Sequence, residues 1–391
     1  MHPQALNKLA GLGAVCGLAS FFWLGFLTVR PNRLSSGVSV RIWEGNQGWE
    51  AGLILMLWAS ILILAALYAD KKLANRAMLI AANLLIVFSW WSAGIMATRL
   101  LMGANPLSRI SLGAGAWTMM LAAYIVILAG RSHLEKGQKW LGSLWIPLLI
   151  VLLGSGQLHS LSIMQELAAR RGRFGVEVLQ HLSIAGTAVG IGILIGVPLG
   201  IWAYRSNLAR QVSFPVLNII QTIPSLALFG LLIAPLAILS SRIPFLRAIG
   251  LQGIGWAPAL IALTLYSLLP ITRNAFASLK IIDPAFIEAG LGMGMSRSQL
   301  LLRVQLPLAL PVIFSGIRTA AVQTIGNTAL AALIGAGGLG TFIFQGIGQS
   351  APDLILLGAL PVIILAVMVD GAMEQMIGLI TPKGLTYGQD D

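Results

Sequence analysis

The chain has little to do chemistry with. Its 391 residues include one cysteine and four histidines. Cys16 lies within an apolar run, so it supplies neither a disulfide framework nor a thiolate metal site. His2, His133, His159 and His181 are scattered, which argues against a histidine metal cluster. Charge is also scarce: Asp, Glu, Lys and Arg make up 10% of the residues, where a soluble domain carries roughly a quarter. No G-x-x-x-x-G-K-S/T run occurs, so the chain has no phosphate-binding loop of its own. No nucleophile and base stand out as a pair, which disfavours an intramembrane enzyme.

What is abundant is apolar sequence, 57% of the chain, with a mean hydropathy of +0.86. Apolar runs of about 20 residues recur along its length, each long enough to cross a hydrocarbon core as a helix. A β-barrel would alternate polar and apolar residues over about ten positions, and these runs do not. The fold class is therefore an all-α integral membrane protein. A formal charge of +12 raises the question of nucleic acid. The basic residues stand singly or in small groups at the ends of apolar spans, as topogenic charges do, so no nucleic-acid partner is expected.

About ten spanning helices are expected, at residues 9–29, 51–69, 77–97, 110–130, 140–156, 181–203, 213–237, 255–277, 308–334 and 354–377. The first run is too long for a signal-peptide core and is expected to remain as a helix. The longest polar connection, 157–180, separates an N-terminal extension, 1–156, from a core, 181–380, with a short tail at 381–391. If the polar stretch at 288–307 is cytoplasmic and every span crosses once, both termini are inside. All seven lysines (Lys8, Lys71, Lys72, Lys136, Lys139, Lys280 and Lys383) then face the cytoplasm, although the arginines divide more evenly. The extension is Trp-rich with few polar side chains and reads as scaffold or lipid-facing mass. The core carries polar groups and prolines within its spans, and function is expected there.

Residues 283–307 interrupt that apolar text. Asp283 is placed to cap a helix with Pro284 at its first turn. Gly290, Gly292 and Gly294 suit a turn, and Ser296 with Gln299 makes a capping box for a second helix. Pro307 is expected to let the chain change direction into the next span. A helical elbow of this kind suits docking into another protein's groove, or is a stiff cytoplasmic loop.

The stretch "EAGLGMGMSRSQLLLRVQLP" resembles the cytoplasmic signature of permease subunits of binding-protein-dependent ABC importers. That signature runs Glu-Ala-Ala, three residues, Gly, nine residues, Ile, one residue, Leu-Pro. Here Glu288, Ala289, Gly290 in place of the second Ala, Gly294, Val304 in place of Ile, Leu306 and Pro307 keep the spacing. The resemblance implies that these seven residues couple the chain to a cytoplasmic ATPase, which binds the ATP and Mg. It also implies a second permease, identical or homologous, and an external solute-binding protein. The segments "HLSIAGTAVGIGILIGVPLGIWAYRS", "QTIPSLALFGLLIAPL" and "GIRTAAVQTIGNTALAALIGAGGLGTFIFQGI" look like the permeases for glycine betaine, carnitine and choline. "VRPNRLSSG" is similar to a longer branch of that group with an N-terminal extension. The same mechanism serving an amino acid is the nearest rival, and an ATP-independent secondary transporter or channel is a further one.

Other motifs carry two readings each. "GAGGLG", 335–340, matches the dinucleotide fingerprint in letters only, because no strand precedes it; a tight external turn is expected. Asn218, Gln221, Thr222 and Ser225 in one span, and Gln323, Thr324 and Asn327 in another, are either interhelical hydrogen bonds or the lining of a translocation path. Pro224 and Pro235 would kink their helix and free carbonyls toward such a path. Arg318, at membrane depth, is either a path residue or a structural tie, with Asp370 as a candidate partner. Residues 157–180 suit a membrane-surface helix, with Arg170, Arg171 and Arg173 as an alternative contact for an external protein.

Overall fold

Helices dominate the computed structural model, which describes residues 3–33, 35–45, 48–67, 72–132, 134 and 136–381. His2, His133, Lys71 and the tail from 382, with Lys383, lie outside the described residues. The chain divides into two units, Met1–Ala169 and Arg170–Asp391. Among the described residues eight helices are long and apolar enough to span a membrane, and two shorter apolar helices, Lys8–Trp23 and Trp140–Gly154, accompany them.

The first unit runs α1 (Pro3–Trp23), β1 (Leu27–Arg30), β2 (Val38–Val40), α2 (Ile42–Gly45), α3 (Trp49–Leu67), α4 (Lys72–Leu101), β3 (Arg109–Leu112) and α5 (Ala114–Arg131). A 3₁₀ turn (Lys136–Ser143), α6 (Trp145–Gly154) and α7 (Ser162–Ala169) complete it. The expected helix at 9–29 stops at Trp23, because the following residues enter an antiparallel sheet of order β2-β1-β3. Leu27 of β1 stands opposite Val40 on one side and Leu112 on the other. Glycine permits the close approach beside this sheet: a Cβ on Gly25 would lie 2.5 Å from Cβ of Ser39.

Trp58 is fully buried at the centre of this unit, over Gly17, where a Cβ would fall 2.3 Å from the indole. Contrary to the expectation of few polar groups, the unit buries several. Asn83 on α4 donates to the carbonyls of Leu79 (2.7 Å) and Leu141 (3.2 Å) and accepts from the Trp145 N–H (2.9 Å). It thereby satisfies backbone where the 3₁₀ turn meets α6, groups that hydrocarbon cannot satisfy. Glu50, almost fully buried, pairs with Arg99 at 2.9 Å, and Glu166 pairs with Arg33.

The second unit runs α8 (Arg171–Arg205), α9 (Asn207–Thr222), α10 (Ser225–Arg242), α11 (Pro244–Ala248), α12 (Trp256–Lys280), α13 (Pro284–Gly292) and α14 (Arg297–Leu300). A π turn (Leu301–Gln305), α15 (Leu306–Thr328), a 3₁₀ turn (Ala329–Ile334), α16 (Gly340–Gly348) and α17 (Pro352–Ile380) follow. The polar segment 157–180 is not one connector: its first part forms α7, and the remainder opens the 35-residue α8. The span expected at 213–237 is two helices. Ile223 and Pro224 are extended, with ψ of 126° and 136°. A proline disfavours helical backbone at the residue before it, which explains the break.

Packing in this unit centres on α12. Gly192, Gly196 and Gly200 recur every fourth residue on α8, and hypothetical Cβ atoms there would lie 2.0 Å from Ser267 Oγ, 2.9 Å from Ile271 Cγ2 and 2.6 Å from Ala275 Cβ. On the α15 side, Gly316 would meet Asn274 Cβ at 2.6 Å and the Pro270 carbonyl at 2.8 Å. Membrane helices gain little from hydrophobic association and rely on such close backbone approach. Small residues on α8 and α15 therefore hold α12 tightly between them.

Candidate functional site

The elbow begins where α12 ends. Asp283 caps α13, its Oδ1 accepting from the Ala285 N–H at 2.9 Å. Gly294 has φ +79°, the left-handed conformation that stops the helix, while the Met295 N–H returns to the Gly290 carbonyl at 3.1 Å. The expected capping box is present: Ser296 Oγ accepts from the Gln299 N–H (3.3 Å) and Gln299 Oε1 from the Ser296 N–H (2.9 Å). Two expectations are corrected. Gly290 and Gly292 are helical residues of α13; Gly290 is buried because a Cβ would reach within 2.6 Å of Leu300 Cδ1, so it closes the elbow rather than turning it. Pro307 does not redirect the chain, which stays helical from Arg297 to Ile334 with a π turn just before it; the turn is at Gly294.

Outward, the elbow exposes Glu288 and Ala289 together with Phe286, Leu291 and Met293. Val304 and Leu306 are half-buried and Pro307 exposed; Leu306 and Pro307 border an apolar groove of about 730 Å³ between α8, α15 and α17.

The path candidates separate into two groups. At the α9–α10 break the polar groups knit helices together. Asn218 accepts from Arg273 Nη2 at 3.0 Å, and Gln221 Nε2 donates to the Tyr266 carbonyl at 2.6 Å. The Thr222 hydroxyl bonds back to the Ile219 carbonyl at 2.7 Å, Pro224 caps α10, and Ser225 begins it. The carbonyl freed at Ile223 accepts from the Tyr266 hydroxyl instead of facing an open path.

On α15 the arrangement differs. Ser315, Arg318, Thr319, Val322 and Gln323 follow the i, i+3, i+4, i+7, i+8 spacing of one helical face, and with Asp370 of α17 they line a cavity of about 480 Å³. Arg318 binds Asp370 through both Nε and Nη2, each at 2.6 Å, and Nη2 also reaches Glu374 at 3.3 Å. Arg318 thus has its structural tie and still borders an aqueous-sized space. Thr324 lies elsewhere, buried in the helix packing, and Asn327 is half-buried.

One cluster had no counterpart in the sequence reading. The glycine turn at 335–340 is gripped by α8. Glu177 Oε2 accepts from the Gly338 N–H (2.7 Å) and the Thr341 hydroxyl (3.3 Å), and its Oε1 accepts from Arg173 Nε (3.2 Å). Gln180 donates to the Ala336 carbonyl at 2.7 Å, and His181 Nε2 contacts the Ile325 carbonyl at 3.0 Å. Gly337 and Gly338 have φ of +74° and +84°, which exposes backbone groups to these side chains. The only sequence signal was an acid and an amide three residues apart before a histidine, on a segment that looked like a surface connector.

Comparison with known proteins gives two family matches: residues 7–164 match the family described as ABC transporter permease YehY, N-terminal domain, and residues 192–377 match the binding-protein-dependent transport system inner membrane component. The osmoprotectant import permease protein OsmW of Salmonella typhimurium is 44% identical over 53% of this chain and 91% of its own length. The carnitine transport permease protein OpuCB of Listeria monocytogenes is 43% identical over 55% of this chain and 91% of its own. The glycine betaine/carnitine/choline transport system permease protein OpuCB of Bacillus subtilis is 40% identical over 53% and 88%. A solved chain of the MetNI methionine ABC transporter, in inward-facing conformations, is 27% identical over 54% of this chain and 96% of its own, with a TM-score of 0.46.

Proposed function

Since the chain belongs to the family of binding-protein-dependent ABC transporter permeases of the inner membrane, we propose that it forms the path for glycine betaine or a related osmoprotectant in an ATP-driven importer. The observation that carries this reading is the elbow. Between two spanning helices stands a capped, two-helix turn that presents Phe286, Leu291, Met293 and Glu288 outward, a mixed apolar and acidic surface suited to a groove on another protein. That protein is a cytoplasmic ATPase, which holds ATP and Mg. Glu288, Ala289, Gly290, Gly294, Val304, Leu306 and Pro307 form or support the contact. Both termini are then cytoplasmic.

The path follows the polar face of α15. A membrane-spanning helix that exposes Ser315, Arg318, Thr319 and Gln323 cannot direct that face at lipid without desolvating a charged, ion-paired cluster and several polar groups. A second permease, a copy or a homologue, covers it across a water-filled passage, and lipid meets the apolar faces. Solute arrives from an external binding protein. ATP-driven closure of the motor shifts the elbow and switches access across the membrane. In proteoliposomes holding the complete complex, labelled glycine betaine is expected to accumulate only with ATP and the binding protein. Accumulation after ATP depletion, or of amino acids in its place, would overturn the assignment.

A further inference from the structure

We propose that Arg318, Asp370 and Glu374 form a charge filter that favours a small organic cation, such as a trimethylammonium group, over an anion. This rests on the reading of the α15 polar face as the path. The triad holds one guanidinium and two carboxylates. Asp370 takes Nε and Nη2 in a bidentate pair at 2.6 Å, which matches the positive charge once. Glu374, one helical turn on along α17, touches the same Nη2 at 3.3 Å, and its side chain is 69% exposed. Arg318 is the basic partner of Glu374 among the described residues, so the triad keeps one uncompensated negative charge beside the cavity.

The rest of the cavity wall is neutral. Ser315, Thr319 and Gln323 offer dipoles, Val322 offers none, and among the described residues Arg318 is the one basic group lining it. Because that guanidinium is already held by a carboxylate in fork geometry, it is poorly placed to receive an anion. A quaternary ammonium has no N–H to donate and cannot be selected by hydrogen bonds; a field of the right sign is the means left to recognise it. One excess carboxylate at the edge of a wet cavity attracts such a group without forming the tight cage that would arrest it. A zwitterion carrying a carboxylate would enter with its cationic end toward Glu374.

The filter can be read without knowing the solute. In the full chain within its complex, Cys16→Ser removes the native thiol, which is exposed, and Gln323→Cys places one on the cavity wall. Two thiosulfonate reagents of similar size are compared, one bearing trimethylammonium and one sulfonate, each rate normalised to that with a small free thiol. The cationic reagent is expected to react several-fold faster, given one uncompensated carboxylate at the Arg318 end of the same helix face. Glu374→Gln should reduce that preference several-fold while leaving the Arg318–Asp370 pair in place. A normalised ratio near one, a ratio untouched by Glu374→Gln, or a thiol that reacts with neither reagent would overturn the filter. ATP-driven uptake of glycine betaine by the unsubstituted complex is scored separately. Uptake without charge preference removes the filter alone, and absent uptake removes the osmoprotectant reading on which it rests.

Discussion

Glycines on α8 should respond to alanine in opposite ways according to what a Cβ would meet. At Gly200 the new atom would lie 2.6 Å from Ala275 Cβ and 2.7 Å from the Thr272 carbonyl, and neither can swing aside, since one is a backbone atom and the other is a methyl fixed to it. Gly186 and Gly190, on the same helix, meet nothing within 4 Å. Alanine is favoured over glycine within a helix by about 0.8–1 kcal/mol, a gain available at all three sites. At Gly200 the helices must separate, and overpacking of this kind costs about 1–3 kcal/mol. The net expectation is a loss of about 0–2 kcal/mol for Gly200→Ala and a gain of up to about 1 kcal/mol for Gly186→Ala or Gly190→Ala. For a unit of this size, 1 kcal/mol corresponds to roughly 2–4 °C in Tm. Thermal unfolding of the detergent-solubilised protein, followed by loss of the monodisperse peak, is the assay. Equal midpoints for Gly200→Ala and Gly190→Ala would refute the claim that α8 and α12 are held together by backbone proximity.

Three further outcomes follow from named contacts. Glu288→Lys reverses the charge on an exposed elbow residue without touching its caps, so the protein should insert normally while ATP hydrolysis and solute uptake become uncoupled; full uptake would count against docking. Tyr266→Phe removes the donor to the half-buried Ile223 carbonyl at the α9–α10 break, and loss of such a hydrogen bond costs about 0.5–1.5 kcal/mol, measurable as a lower unfolding midpoint. Glu177→Gln keeps one acceptor for the Gly338 N–H but not the charge that holds Arg173; it should loosen the glycine turn enough to raise proteolysis or hydrogen exchange across 335–341, and unchanged protection would show that Gln180 and His181 suffice.

Sequence reading succeeded where chemistry is local. Asp283, Gly294, Ser296 and Gln299 act on neighbours within three or four residues, and each does in the structure what its residue type suggested. It failed where the deciding partner is distant in the chain. Gly290 looked like a turn former until Leu300 was seen to occupy the space of its Cβ. The strands at 27–30, 38–40 and 109–112 are three or four residues long and adjoin apolar helices, so no alternation was long enough to notice. Two signals were present and passed over: the four-residue spacing of Gly192, Gly196 and Gly200, and the isoleucine before Pro224 that ends α9. Glu177 was hidden for another reason, since an acid close to several arginines looks solvated, and only the glycine turn 161 residues later gives it a buried role.

These contacts also decide which parts of the core can move. Gly192, Gly196 and Gly200 on one side and Gly316 on the other fix α12 by steric fit, and such interfaces shift in discrete steps or not at all. The elbow is attached to α12 through a capped turn but continues into α15 as unbroken helix from Arg297 to Ile334. Arg318 lies roughly 30 Å along that helix from Ser296 at 1.5 Å per residue. Under the proposed coupling, a push on the elbow would pass along α15, with the π turn at 301–305, where one carbonyl register differs from the rest, as the place where that helix can yield. The polar face and its triad lie on α15 and on α17, which is packed against it, and because Gly316 seats α15 on α12, the proposed coupling would shift α15 in steps set by that contact. Deleting one residue from 301–305 would convert the π turn to regular α-helix while keeping Arg318 on nearly the same face, because an i→i+5 turn accommodates about one extra residue; it removes the yielding point and not the orientation. That deletion should abolish transport while leaving motor binding intact, whereas a coupling carried by α12 would tolerate it.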